Sequence, residues 1–170
     1  MTDVNNEVLG EETLSTTTME VKEIPLIKAG RYTATLKGLS IHAGKEWNSV
    51  PNVNLQHKLG EDGKNRICFS QLKLGLHPDK NGQFHYQRKN GLKAFLSALD
   101  TNIESLRVIS KKVINPETNE EVVIKYIDAK QVVDAITQFI GSAYALRVTV
   151  KAANNGFPES NDVFEFYKPE

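Results

Sequence analysis

The chain has a single cysteine and no long apolar run, and both features exclude classes of protein. A single cysteine, Cys68, rules out a disulfide within the 170-residue chain and favours a reducing, cytoplasmic compartment. No run approaches the roughly 18–20 apolar residues of a membrane helix. Residues 1–19 have neither the basic region nor the apolar region of a secretory signal. We therefore expect an intracellular protein with no membrane partner.

Motifs for catalysis are also scarce. The nearest approach to a phosphate-binding loop runs from Gly38 to Lys45, but it has one spacer residue too many, and Glu46 replaces the magnesium-binding Ser or Thr. Cys68 lies within an apolar strand pattern, which predicts a small core residue rather than a nucleophile. Neither segment supports a reaction.

The histidines and acidic residues predict no metal site. The four histidines are scattered, and although His77 and His85 flank a turn, no cysteine or carboxylate pattern accompanies them. Asp79, Asp128 and Lys130 have the residue types of a metal-dependent nuclease, yet Asp128 and Lys130 open a helix where that chemistry needs a strand. We therefore expect no enzyme activity, no cofactor and no bound metal.

Charge is balanced in total and uneven along the chain. The 21 basic and 21 acidic residues give no net charge at pH 7. Residues 1–21 hold five acidic residues and no Lys or Arg, whereas residues 28–112 hold fifteen basic and six acidic residues, a net charge of +9. A basic body behind an acidic segment is typical of a protein with a polyanionic partner. A surface whose charges mix in three dimensions accounts for the same numbers.

Five segments alternate apolar with polar residues, which is typical of half-buried strands. The alternation slips after Gly38, where we expect a bulge or bend, and residues 60–63 predict a hairpin turn. Residues 1–22 are polar and are expected to form a flexible acidic arm, and residues 23–170 to form a single domain. The five predicted strands cover residues 30–37, 53–59, 66–74, 144–150 and 162–167.

Helical patterns separate the third and fourth predicted strands. An apolar stripe with helical spacing predicts a helix that begins near Arg88 and reaches Leu99. A small hairpin is expected within residues 112–124, and then a second helix with Asp128 as its N-cap and Gly141 just beyond its end. This order predicts an α+β, mostly β fold, namely an OB-fold-like five-stranded barrel with helices and a small hairpin inserted between strands 3 and 4. Other small α+β folds share the order.

The facing of the third predicted strand is ambiguous. If Cys68 points inward, Phe69 and Lys73 face outward and Phe69 can stack on a base. If Phe69 points inward, a bulge must return Leu72 and Leu74 to the core. The second arrangement is the commoner use of a phenylalanine.

Aromatic residues occupy the two loops that frame the ligand surface of an OB-fold. Trp47, the only tryptophan, lies near Lys45 in the loop after the first strand, and Phe157 lies in the loop before the last strand. A base stacked on an aromatic ring contributes about 1–3 kcal/mol and needs no particular base identity. Trp47 could equally close the end of the barrel as a plug.

Basic residues on strands 2 and 3 can track a phosphate backbone, and aromatic and basic residues interleave after Gly82. The interleaved segment suits ordinary packing at a helix start equally well. No cluster of Asn or Gln indicates base-specific binding. The candidate nucleic-acid-binding residues are Lys45, Trp47, Lys58, Lys64, Arg66, Phe69, Lys73, Tyr86, Arg88 and Phe157.

Three segments resemble a family of bacteriophage OB-fold proteins found with recombination and replication genes. They are Gly-Arg-Tyr-Thr-Ala at residues 30–34, residues 139–150, and the closing Asp-Val-Phe-Glu-Phe-Tyr-Lys-Pro at residues 162–169. The similarity covers much of residues 28–169. It implies binding of single-stranded DNA without sequence preference, in the cytoplasm of a bacterial host. Many members end in an acidic partner-recruiting tail, whereas the acidic segment here is N-terminal, which puts C-terminal recruitment in doubt.

The leading hypothesis is a non-enzymatic protein that binds single-stranded DNA, with replication or recombination proteins as further partners through the acidic arm. The alternative is a protein-interaction or virion-assembly module, which the balanced charge and the lack of a long basic run favour. A small nuclease or nucleotide hydrolase is the third hypothesis. The sequence leaves the oligomeric state open, including a homo-oligomer.

Overall fold

The computed structural model describes residues 25–86, 91–154, 156 and 158–169. Over these residues the fold is mostly β, with two helices and two antiparallel sheets. The predicted acidic arm lies outside the described residues. The helices are α1 (Leu92–Ala98) and α2 (Ala129–Thr137). The strands are β1 (Gly30–His42), β2 (Asn52–Leu59), β3 (Ile67–Leu72), β4 (Gly75–Pro78), β5 (Phe84–Tyr86), β6 (Val108–Ile114), β7 (Glu121–Ile127), β8 (Ala143–Lys151) and β9 (Ser160–Tyr167).

The larger sheet contains five strands in the order β3-β2-β1-β8-β9, and we call it the large sheet. These are the five strands that the alternation predicts, so that prediction is confirmed. β1 pairs with two strands. Its residues 30–35 pair with β8 and its residues 34–42 pair with β2. The register shifts between Leu36 and Gly38, which confirms the predicted bulge.

The large sheet curls strongly. Its two edge strands, β3 and β9, approach within 8 Å between Cα atoms. In a flat five-stranded sheet the edges would be about 19 Å apart, at the usual spacing between neighbouring strands. The helices pack on the curled sheet, α1 against β9 and α2 against β1 and β2.

The core inside the large sheet is built around four rings. Phe95 on α1 lies at the centre, with ring centroids 5.3 Å from Tyr144 and 5.0 Å from Phe166. His57 from β2 joins the cluster, 5.9 Å from Phe95. Edge-to-face contacts dominate, which is the favourable geometry for aromatic pairs. Cys68 packs into the same core at 4% exposure, as predicted.

The smaller sheet has four strands in the order β5-β4-β7-β6, and only part of it follows from the sequence. The hairpin predicted at residues 112–114 and 122–124 is present but longer, since β6 and β7 have seven residues each. β4 and β5 form a second hairpin around Gly82, whose φ of +79° suits glycine. Gly75 and Leu76 of β4 pair with β7 and join the two hairpins.

The helices have the apolar faces that the sequence predicts, but their ends differ from the predicted ones. α1 begins at Leu92, after the N-cap Gly91, and Arg88, near which the helix was expected to begin, lies outside the described residues. Asp128 caps α2 as predicted, since its side chain accepts from the Lys130 amide at 3.1 Å. Gly141 is not the residue that ends α2, which stops at Thr137. A further turn follows, in which the Phe139 amide donates to the Ile136 carbonyl at 2.8 Å and the Ile140 amide to the Thr137 carbonyl at 3.2 Å. The Gly141 amide then donates to the Leu36 carbonyl of β1 at 2.8 Å. Within the described residues, no helix is long and apolar enough to cross a membrane.

Candidate nucleic-acid interface

The outer surface of β2 and β3 is mostly polar, with one exposed ring in its middle and the half-buried Ile67 beside it. We call this surface the β2–β3 face. Alternate residues of β2 point into the core, where Val53, Leu55 and His57 are each fully buried at 0% exposure. The residues between them point outward. On β3 the outward residues include Phe69, which is 63% exposed.

The structure gives β3 the facing that places Phe69 outside. The β2–β3 register is continuous from Val53 opposite Leu72 to Lys58 opposite Ile67, so the strand has no bulge that could turn Phe69 inward. Cys68 and Leu72 are buried instead. The commoner arrangement, with Phe69 in the core, is therefore wrong for this chain.

A buried hydrogen-bond network fixes that facing. His57 lies 2.7 Å from the Ser70 hydroxyl through Nε2 and 2.5 Å from the Tyr144 hydroxyl through Nδ1. Burial lowers the pKa of His57 to about 3, so the imidazole is neutral at pH 7 and one nitrogen donates while the other accepts. Burial also raises the pKa of Tyr144, which keeps its hydroxyl protonated. Ser70 must point inward to complete this network, and its neighbour Phe69 must then point outward.

Two rows of uncharged residues cross the centre of the β2–β3 face. In the first row Gly38, Gln56 and Phe69 are paired across β1, β2 and β3. In the second row Ser40, Asn54 and Gln71 are paired in the same way, and Gln71 Nε2 donates to Asn54 Oδ1 at 3.1 Å.

Gly38 has no side chain, so the first row leaves free space at its β1 end. A Cβ at Gly38 would meet only the Gln56 amide oxygen, at 3.8 Å.

Cations lie at one end of the face, around the connection from β2 to β3. Lys58 and Lys64 are exposed and Arg66 is half-buried. The predicted hairpin turn is a short 3-10 helix, Glu61–Gly63, followed by Lys64 with a φ of 56°.

Asp62 holds this connection against β1. Its carboxylate accepts from the Thr33 amide at 3.0 Å and from the Thr33 hydroxyl at 3.1 Å. The neighbouring cations are therefore held on an anchored turn.

Lys45, Trp47 and Lys73 lie at the opposite end, where residues 43–51 connect β1 to β2. The six residues of β3 separate this end from the cations of the turn by about 17 Å along the strand. Trp47 is 37% exposed and does not belong to the buried core of the described residues, so it is not a buried plug. Ser49 stabilises this loop, because its hydroxyl accepts a hydrogen bond from the Glu46 amide at 3.1 Å.

One described candidate residue, Tyr86, lies outside the β2–β3 face. Tyr86 belongs to β5 of the smaller sheet, where its backbone pairs with Leu76. Its neighbour Phe84 has the Lys125 ammonium 4.8 Å from its ring centroid, which agrees with ordinary packing in this segment. Arg88 and Phe157 lie outside the described residues.

The acidic residues of the nuclease hypothesis are engaged in local structure. The hydrogen bond from His85, at 2.7 Å, and those from the Gln83 and Asn81 amides lower the pKa of Asp79. Asp128 caps α2 and accepts from Arg107 at 3.0 Å. Among the described residues, no three His, Cys, Asp or Glu side chains are grouped closely enough to hold a metal ion.

Sequence reasoning did not identify Gly38, Asn54, Gln56 or Gln71 as site residues. Asn54 and Gln56 lie at outward positions of the second predicted strand, which was a usable signal, whereas the facing of Gln71 was open. Only the strand register places all three beside Phe69. The sequence matches no protein-family model, and no curated protein matches it either.

Proposed function

We propose that this protein binds single-stranded DNA on the β2–β3 face, without a required sequence and without a catalytic step. The observation that carries the proposal is Phe69, a phenylalanine 63% exposed at the centre of a polar face with cations at both ends. Surfaces that bind single-stranded nucleic acids combine exposed aromatic rings with cations that follow the phosphate backbone. An exposed ring with polar side chains beside it and cations at both ends of its face suits stacking on a base.

We also propose that the large sheet and α1 form an OB-type barrel. The strand order, the bulged first strand shared between two partners, and the close approach of β3 and β9 support this assignment. OB-folds bind oligonucleotides on the face of their second and third strands, framed by the loops between strands 1 and 2 and between strands 4 and 5. In the proposed barrel, β2, β3 and the loop that carries Trp47 would correspond to these elements.

Binding on this face combines two physical terms. Bases stack on Phe69 and on the Trp47 ring, and each stacked base contributes about 1–3 kcal/mol. Cations at both ends of the face neutralise phosphates and release counterions. They are Lys58, Lys64 and Arg66 at one end and Lys45 and Lys73 at the other. Stacking requires unpaired bases, so the face favours single strands over a duplex. The phage-family resemblance supports DNA as the ligand.

A gel shift with single-stranded and double-stranded oligonucleotides in parallel tests the proposal. We expect a shift with the single strand at low salt, little shift with the duplex, and weakening of the complex as salt rises. Titration with oligo-dT should also quench Trp47 fluorescence, since Trp47 is the only tryptophan. Equal shifts with both oligonucleotides, or no shift and no quenching at low salt, would contradict the proposal.

A protein-interaction module is the second candidate, and the hairpin of β6 and β7 favours it. Val108, Ile114 and Val123 lie on one face of this hairpin and are 44%, 60% and 44% exposed. A pull-down after nuclease treatment separates the two functions. A defined partner that binds the wild-type chain, and is lost in Ile114→Lys, would support this second function.

A further inference from the structure

We propose that Asn54, Gln56 and Gln71 contact the edges of bases stacked on the β2–β3 face, so that affinity for single-stranded DNA depends on base composition. This inference rests on the proposed function and adds a property to it. The protein binds strands of any sequence, but its affinity differs between base compositions.

The three amides lie beside Phe69 on the outer face, opposite it on β2 and towards the end of β3. Gln56 is directly opposite Phe69 on the neighbouring strand, and Gln71 follows two residues along β3 on the same face. Neighbouring strands are about 4.8 Å apart, and residues two apart on a strand are about 6.7 Å apart. These spacings match the dimensions of a base, so a base centred on Phe69 has its edges over Gln56 and Gln71.

The Asn54–Gln71 hydrogen bond holds this pair in a defined arrangement. It uses an amide hydrogen of Gln71 and the carbonyl oxygen of Asn54. Gln71 therefore retains its carbonyl oxygen as an acceptor, and Asn54 retains its amide hydrogens as donors. An adjacent donor and acceptor can pair with the edge of an exposed base, and unpaired bases are recognised through such edges.

The distribution of charge favours bases over phosphates at the centre of the face. Both central rows contain only uncharged residues, and Lys37 at the bulge is the cation beside them on β1. The other cations lie at the two ends of the face. Phosphates are drawn to cations, and amides without charge discriminate between bases by hydrogen bonding. The end cations therefore hold the backbone while the amides meet the bases.

Fluorescence anisotropy with labelled oligo-dT, oligo-dC and oligo-dA of equal length tests the inference. The proteins compared are the wild type, the double variant Asn54→Ala/Gln71→Ala, and Asn102→Ala as a control. Asn102 is an exposed amide on the segment after α1 and belongs to neither strand of the β2–β3 face. Thermal melting of each protein checks that it is folded.

We expect the wild-type affinities for the strongest and weakest homopolymer to differ about fivefold or more, the lower end of what a good amide–base pair provides. The double variant should reduce this ratio to less than about twofold at an unchanged salt dependence, and Asn102→Ala should keep the wild-type ratio. Stacking within the DNA strands is the same for every protein, so it cannot produce the difference between variants.

Two results would overturn the inference and leave the proposed function intact. One is equal wild-type affinity for all three homopolymers. The other is a double variant that weakens binding to all three by the same factor. Failure to bind any homopolymer would instead contradict the proposed function itself.

Discussion

Phe69 and Gln56 lie directly opposite each other on the outer face of the large sheet, on neighbouring strands. Phe69 cannot exchange this position for a buried one, because a one-residue slip of β3 would expose Cys68 and Leu72 and break the contact between Ser70 and His57. The exposure of the ring is therefore fixed by the register of the strand and by the core beneath it.

The cations of the β2–β3 connection should set part of the salt dependence of DNA binding. In the double variant Lys64→Ala/Arg66→Ala, the slope of log K against log salt should fall by about 0.7 for each phosphate contact removed from a single strand. Anisotropy titrations of oligo-dT over a series of salt concentrations measure this slope.

Lys111→Ala/Lys112→Ala provides the matched control, because it removes the same charge from β6 of the smaller sheet. It should leave the slope unchanged. Equal slopes for the wild type and Lys64→Ala/Arg66→Ala would show that this connection does not contact the strand.

Gly63→Ala should destabilise the domain by about 1–3 kcal/mol, the usual effect of overfilling a packed core. A Cβ at Gly63 would lie 2.6 Å from Cβ and Cδ1 of Leu59, a side chain only 1% exposed. Urea denaturation measures the free energy of unfolding. Gly38→Ala is the control, since its Cβ would meet only the Gln56 amide oxygen at 3.8 Å, and it should stay within about 1 kcal/mol of the wild type. Equal stability of the two variants would contradict the packing around Leu59.

The buried His57 should make the domain sensitive to acid. Its pKa is lowered from 6.5 to about 3 by burial, so between these values the unfolded chain binds a proton that the folded chain does not. The free energy of unfolding is then highest above pH 6.5 and falls by about 1.4 kcal/mol per pH unit below it, until the folded state also protonates near pH 3.

Urea denaturation at neutral pH and at about pH 5 measures this loss, which should be about 2 kcal/mol for the wild type. His57→Gln removes the titrating group and should lose much less stability over the same interval. His42→Ala, at an exposed position on β1, should behave like the wild type. A wild-type domain equally stable at both pH values would contradict a neutral, buried His57.

Sequence patterns locate the large sheet well because its strands are long and one face of each is buried. The alternation in β2 is continuous, and the slip after Gly38 marks the bulge in β1. β4 and β5 contain four and three residues, too few to show a period of two. The pairing of Gly75 with Tyr126 joins segments far apart in the chain, and no local pattern encodes it. The smaller sheet therefore could not be predicted as a whole.

The candidate site was only partly predictable for a related reason. The residues Ile67 to Leu72 offer apolar side chains on both faces, so periodicity cannot decide which way Phe69 points. The buried contact between His57 and Ser70 decides it, and that contact depends on the β2–β3 register. Asn54 and Gln71 are distant in sequence and meet only through the same register.

The affinity of Phe69→Ala for oligo-dT tests most directly whether the β2–β3 face binds DNA. It is measured by fluorescence anisotropy beside the wild type, Phe69→Tyr and Ile114→Ala. Ile114 is the control because it is a 60% exposed apolar residue on the smaller sheet. Loss of one stacked base should weaken binding about 5- to 150-fold in Phe69→Ala, while Phe69→Tyr keeps the ring and Ile114→Ala leaves the face intact, so both bind like the wild type. Wild-type affinity in a folded Phe69→Ala would contradict the β2–β3 face as the DNA-binding surface.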